Sequence, residues 1–312
     1  MRGTATTGWA LLCAAAALCT TTIAAQGKKT LSLDGTWNFA LDPDNRVTKL
    51  LVAGGKKTNG TIVVPGAWQA QGYGQETFTM HHAMDGVGIF SRDIALPAGF
   101  EGEGRRLFFV ANRVQRSAKL FVGAPASVNV SVSEPLASHL GYLSIMEAEL
   151  TNHTSNGRIT LTVAVNSTRD NPTDCLRSTE DDAAENDFTG LSGWGGFGGH
   201  VRLESRGVAW IEDPFVQQVV AEDLGSADVN VSVGLGGDTS ATAVMLNVTY
   251  ATAAGATVGR ATVKCPAGAT ACSVPSARLA SPALWSPRSP VQYTAAVQLL
   301  AAATGAVLDE AR

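Results

Sequence analysis

Hydrophobic and polar residues alternate with a period of two along most of this chain. In RITLTVAVN, Ile159, Leu161, Val163 and Val165 fall on one face of an extended segment, and TWNFAL does the same with Trp37, Phe39 and Leu41. Successive side chains of a strand point to opposite sides, so this spacing predicts half-buried β-strands. RRLFFVANRV, SAKLFVG, SVNVSVS, HVRLES, DVNVSVGL, AVMLNVTY and VQYTAAVQLL repeat the pattern, with Gly, Pro, Asn and Asp clusters between them. Many short strands with regular turn signals predict an all-β sandwich architecture. After the N-terminus no long segment keeps a helical period, and the strand–helix alternation of an α/β fold is missing.

The segments divide into two predicted units. A break falls between residues 207 and 210. The first unit, residues 27–209, has long loops. The second, residues 210–312, has the size of a seven-strand immunoglobulin-like sandwich.

One short stretch, GWGGFGGH, places Gly193, Gly195 and Gly198 in the G-x-G-x-x-G spacing of a dinucleotide loop. Such a loop needs a strand before it and a helix after it, because the pyrophosphate sits at the helix N-terminus. Here the acidic STEDDAAENDF precedes the glycines and the strand-like HVRLES follows them. We therefore reject the phosphate reading. Glycines at this density let a chain turn sharply and approach its neighbours closely. Trp194 and Phe197 are then left either to pack or to face a ligand.

Composition narrows the function classes. The chain is 45% hydrophobic and 16% charged, with a formal net charge of -4. It offers no basic surface for nucleic acid. Residues 1–25 read as a secretory signal: Arg2, the apolar GWALLCAAAALC, then TTTIAA with cleavage near Ala24 or Ala25. The rival reading is a membrane anchor, but the run is shorter than the roughly 18–20 apolar residues that cross a bilayer. No later segment is long enough either, so no membrane span is expected after signal removal.

Six N-x-S/T sequons, at Asn59, Asn129, Asn152, Asn166, Asn230 and Asn247, use half of the asparagines. In a secreted protein they are glycosylation candidates facing solvent; in a bacterial protein the same triplets carry no meaning. Cys265 and Cys272 flank the turn-like PAGATA and are candidates for a short loop disulfide, the alternative being two unpaired thiols. Cys175 reads as a loop thiol and not as a nucleophile.

Seven segments occur in a telling order: LDGTWNFALDP (33–43), VPGAWQ (64–69), GVGIFSRDIALP (86–97), RSAKLFVG (116–123), HLGYLSIMEAEL (139–150), GLSGWGGFGGHVRLE (190–204) and LWSPRSPVQY (284–293). Their sequence and spacing resemble the non-catalytic front of the family 2 glycoside hydrolases, the β-galactosidase, β-glucuronidase and β-mannosidase group. The resemblance implies a jelly-roll sugar-binding domain over residues 27–209 and an immunoglobulin-like domain over residues 210–312. It implies carbohydrate as the partner and no cofactor. In the family a (β/α)₈ barrel follows and carries both catalytic carboxylates. Such a barrel takes about 250 residues, and this sequence has no counterpart to it, to the Asn-Glu pair of its acid/base motif or to its nucleophile segment. Departures from the pattern include Val122-Gly123 in place of Asn-Gly, and Ser144 and Met146 in place of Pro and Phe.

The resemblance also implies a substrate-binding residue. By order along the chain, Asp187 matches an aspartate that reaches from the jelly roll into the active-site mouth. Trp194, opened by its flanking glycines, is the aromatic candidate for stacking on a sugar ring. For Trp68 core packing is the favoured reading. Glu180, Asp181, Asp182 and Glu185 read as a solvated loop. His81, His82, His139 and His200 lack metal-ligand spacing with cysteine, and no G-x-S-x-G elbow exists. No catalytic residue is assigned.

The expectation is the N-terminal, non-catalytic portion of a secreted family 2 glycoside hydrolase. The alternatives are a stand-alone secreted carbohydrate-binding module and a ligand-free adhesive protein. The chain stops at LDEAR in mid-pattern, which favours the first.

Overall fold

The computed structural model describes residues 27–41, 59–73, 87–114, 117–128, 133–141, 144–166, 195–240 and 243–311. Apart from the 3-10 turn Gln69–Gln71, the described elements are all strands. The all-β expectation holds, and the pairings between strands are antiparallel.

The strands before residue 207 form two main sheets. One has six strands in the order Asn59–Val64, Gly35–Leu41, Val87–Ala95, Arg158–Asn166, Ser117–Val122 and Ala137–Leu140. The other has four, in the order Lys29–Ser32, Val201–Arg206, Arg106–Ala111 and Met146–Glu149. Trp37, Phe39, Phe90, Phe109, Leu120, Leu161 and Leu203 share one buried core. The period-two residues of TWNFAL and RITLTVAVN point into that core as the sequence predicted. Arg158–Asn166 lies at the sheet centre, and its other face is closed too at Thr162 and Ala164. The Thr162 hydroxyl is satisfied there by donating to the Gly123 carbonyl (2.7 Å).

A second core gathers Val231, Val233, Leu246, Val248, Val297, Leu299 and Leu308. One of its sheets runs from the edge strand Ala209–Val220 to Ser226–Gly237, then to Ala271–Ser273 and Ala277–Ala280. The facing sheet has the order Thr257–Lys264, Val244–Thr252, Tyr293–Ala301 and Val307–Ala311. The Ile211 N–H donates to Asp309 (2.9 Å), joining the two edge strands. Cys265 and Cys272 are bonded, with Cα atoms 5.7 Å apart, so the paired alternative is the one found. SVNVSVS falls largely outside the described residues.

Where the two cores meet, Trp210 leaves the first strand of the second core and packs on Phe108 and Val110 of the four-stranded sheet. The Phe108 and Trp210 rings meet edge to face, centroids 5.5 Å apart.

Candidate functional site

The glycine-rich stretch closes one end of the first core. Gly196–Phe197 forms a two-residue ladder with Gly66–Ala67. The Trp68 N–H donates to the Gly195 carbonyl (3.0 Å), and the Gly195 N–H donates to Gln69 (3.2 Å). Two contacts require glycine. A Cβ on Gly195 would lie 1.9 Å from the Trp68 ring. Gly196 has a φ of 131°, and a Cβ there would lie 2.4 Å from the Gly66 carbonyl oxygen. The strand Val201–Arg206 follows the glycines, as HVRLES predicted.

Phe197 turns inward. It is fully buried, with ring centroids 5.0 Å from Phe90 and 6.0 Å from Trp37. Of the two aromatics in this stretch, Phe197 is therefore core. Trp68 and Tyr73 are buried as well, and the Tyr73 hydroxyl donates to the Thr61 carbonyl (2.8 Å).

Beside this closure Asp34 accepts from the Val201 N–H (2.9 Å) and sits 2.6 Å from His200 Nδ1. Burial opposes ionisation of Asp34, but the Val201 and His200 bonds outweigh it and hold its carboxyl below the usual range. His200 is therefore a partnered residue, although its spacing in the sequence gave no sign of that.

A second polar assembly sits where the cores meet. Its cleft of about 380 Å³ is lined by Lys28, Glu147, Arg202, Glu204, Arg206, Trp210, Ile211 and Glu212. Arg206 donates to both oxygens of Glu147 (2.8 and 2.6 Å) and to Glu204 (3.0 and 2.7 Å). Arg202 also donates to Glu204 (2.7 Å). The side chains of Glu204 and Arg206 are only 4% and 9% exposed. Burial disfavours the charge on Glu204, yet the bonds from Arg202 and Arg206 prevail and lower its pKa. Arg106 grips Glu149 through two bonds. That pairing lowers the Glu149 pKa to about 2. Arg106 and Arg206 also stack on Trp210, 5.2 and 5.6 Å from its centroid.

This cluster is built to hold charge in place. A general acid must keep a proton near neutral pH, and both Glu149 and Glu204 are pushed the other way. Among the described residues no group of His, Cys, Asp and Glu is arranged to hold a metal. No helix among them is long and apolar enough to cross a membrane.

The two predicted sugar-binding residues, Asp187 and Trp194, lie outside the described residues. So do residues 1–25, Cys175, the acidic cluster at 180–187 and Asn129. Of the remaining sequons, Asn59 and Asn152 are exposed, and Asn166, Asn230 and Asn247 are half-buried.

The described residues thus form two β-sandwich cores in tandem, joined at an arginine-clamped tryptophan. Residues 209–312 match the family model described as glycosyl hydrolases family 2. Solved structures agree in fold. The chain is similar to a β-glucuronidase from Ruminococcus gnavus in complex with D-glucaro-d-lactam: 18% identity and a TM-score of 0.64, covering 92% of this chain and 45% of that one. It is similar to a Bifidobacterium dentium β-glucuronidase complexed with coumarin-3-O-glucuronide: 20% identity and a TM-score of 0.65, covering 92% and 47%. A Bacteroides fragilis protein described as a putative β-galactosidase gives 19% identity and a TM-score of 0.67, covering 91% and 40%. The chain thus spans less than half the length of these structures. No curated protein sequence matches it.

Proposed function

We propose that this chain is the front, carbohydrate-recognising part of a secreted family 2 glycoside hydrolase. The parent reaction is retaining hydrolysis of β-glycosides, carried out by a (β/α)₈ barrel that follows these two sandwiches in the longer protein. The observation that carries the reading is the family match over residues 209–312, backed by a fold likeness that runs through both sandwiches. The glucuronide and glucaro-lactam ligands of two of those structures make uronic acid glycosides the first substrates to try.

A retaining mechanism needs two carboxyl groups about 5–5.5 Å apart, one protonated as the acid. Glu149 and Glu204 are pushed towards the ionised form by their arginines, so neither is suited to be that acid, and chemistry is assigned to the barrel. Asp187 and Trp194 are proposed to meet the substrate at the barrel mouth, the first through sugar hydroxyls and the second by ring stacking.

The purified chain, incubated with nitrophenyl β-glucuronide and β-galactoside, is expected to release nitrophenol at the blank rate. Turnover at enzyme-like rates by this chain alone would overturn the assignment of chemistry to a barrel. Tight binding of a free sugar by a secreted protein of this length would favour a stand-alone binding module.

A further inference from the structure

The edge strand Ala209–Val220 exposes Phe215 and Val219, at 62% and 63%. Register fixes the face they occupy: Phe215 opposes Ser232, Gln217 opposes Asn230, and Val219 opposes Asp228. Val216, itself 43% exposed, opposes the buried Val231, so register places Phe215, Gln217 and Val219 on the sheet face opposite to Val231. Asn230 is therefore faced by Gln217 and flanked diagonally by Phe215 and Val219. Diagonal cross-strand neighbours sit about 7–8 Å apart, within reach of a large group. Residues 215–220 read FVQQVV, without charge, Pro or Gly; on its other side this strand pairs with no described strand, and an apolar edge of this kind invites strand-to-strand association. Asn230-Val231-Ser232 is itself an N-x-S sequon.

We propose that Asn230 carries an N-linked glycan whose first N-acetylglucosamine lies on Phe215 and Val219. The donor class is a lipid-diphosphate-linked oligosaccharide of the secretory pathway. Asn230 Nδ2 loses one proton and bonds to the sugar C1 as the C1–O bond to the diphosphate breaks and the lipid diphosphate leaves. The ring's C–H face then covers the Phe215 ring, removing apolar surface from water. A bulky hydrophilic branch beside the strand blocks its free edge.

Asn247 offers no such platform. Its amide nitrogen donates to Gln298 and its oxygen accepts from Thr262 (3.2 Å each), among polar neighbours on a central strand. The proposal rests on passage through the secretory pathway, and it does not depend on the glycosidase reading.

The test expresses the full chain in secreting animal cells and maps occupancy at each sequon by mass spectrometry. Melting is then followed for the wild type, Asn230→Gln, Phe215→Ala and the double variant. Asn230 is expected to be occupied. Asn230→Gln is expected to lower the melting temperature of the second sandwich by about 3–6 °C, and by less than about 1 °C in the Phe215→Ala background. Trimming the glycan to a single N-acetylglucosamine is expected to keep the full stabilisation, because that sugar makes the contact. An empty Asn230 in protein occupied at Asn152 would overturn the proposal. So would equal losses in both backgrounds, or loss of the stabilisation on trimming. Absence of glycan at every sequon would overturn the secretory reading with it, while the nitrophenyl glycoside assays judge the glycosidase reading separately.

Discussion

Replacing Gly195 by alanine tests the steric account of the glycine-rich stretch. The new Cβ would lie 1.9 Å from two atoms of the Trp68 indole. The ring has nowhere to go. Phe39 and Phe90 hold it at centroid distances of 6.0 and 6.5 Å, and a Cβ on Gly88 would meet it at 2.8 Å. Relief must come from the backbone at residues 195–197. That movement weakens the Trp68–Gly195 bond and the short ladder to Gly66–Ala67. Overpacking a tight core costs about 1–3 kcal/mol, and losing a hydrogen bond adds about 1 kcal/mol. A total near 3 kcal/mol corresponds to a fall in melting temperature of about 6–12 °C for a unit of this size. Gly198→Ala is the control, because its Cβ would meet the Arg113 Cδ at 3.0 Å and a flexible side chain can shift. Its expected fall is about 1–2 °C. Scanning calorimetry of the two variants decides the matter. Melting temperatures within about 2 °C of each other would refute the steric argument.

The remaining predictions concern the joint between the cores and the proposed sugar contacts. Arg206→Met leaves the buried Glu204 without one of its two arginines, and breaking a buried pair in this way costs about 3–5 kcal/mol. Glu147→Gln, at a side chain 41% exposed, is expected to cost less than about 1 kcal/mol; equal urea midpoints for the two variants would contradict the buried-pair account. Glu149 has a folded pKa of about 2 against an ordinary 4.5. A lowered carboxylate stabilises above the unfolded pKa and loses that contribution as pH falls through the folded one. Urea midpoints should therefore drop between about pH 4.5 and pH 2, and Arg106→Gln should flatten that segment; an unchanged slope would remove Arg106 as its cause. In the proposed longer enzyme, Asp187→Asn and Trp194→Ala are expected to raise KM for a glucuronide while leaving the melting temperature within about 1 °C. A melting shift with unchanged KM would make them structural.

The strands were readable in the sequence because burial on one face writes a period of two. TWNFAL and RITLTVAVN show this directly: Trp37, Phe39, Ile159, Leu161, Val163 and Val165 are all buried. The second face of Arg158–Asn166 was not readable, since Thr162 looks polar until the Gly123 carbonyl satisfies it. The strand after the glycines was readable from HVRLES alone. That Phe197 packs was beyond the local pattern, because it meets Trp37 and Phe90 only through tertiary contacts.

The arginine-clamped tryptophan was missed entirely. Its signal lies in three separated segments that alternate charge with period two: Arg202, Glu204 and Arg206; Glu147 and Glu149; and Arg106 beside Phe108. Only antiparallel register brings Arg206 opposite Arg106, and Phe108 opposite Glu149 and Glu204. Long-range register of that kind is not encoded in any one segment. His200 escaped notice for the same reason, as its partner Asp34 is 166 positions away.

The central claim is that these two sandwiches are the front of a longer hydrolase. The most direct test is the length of the native protein, read by mass spectrometry of material captured from producing cells with an antibody to the first sandwich. The account predicts a species about twice this chain's length or more, with a downstream barrel bearing an Asn-Glu pair and hydrolysing a β-glycoside. A native protein that ends at Arg312 would contradict it.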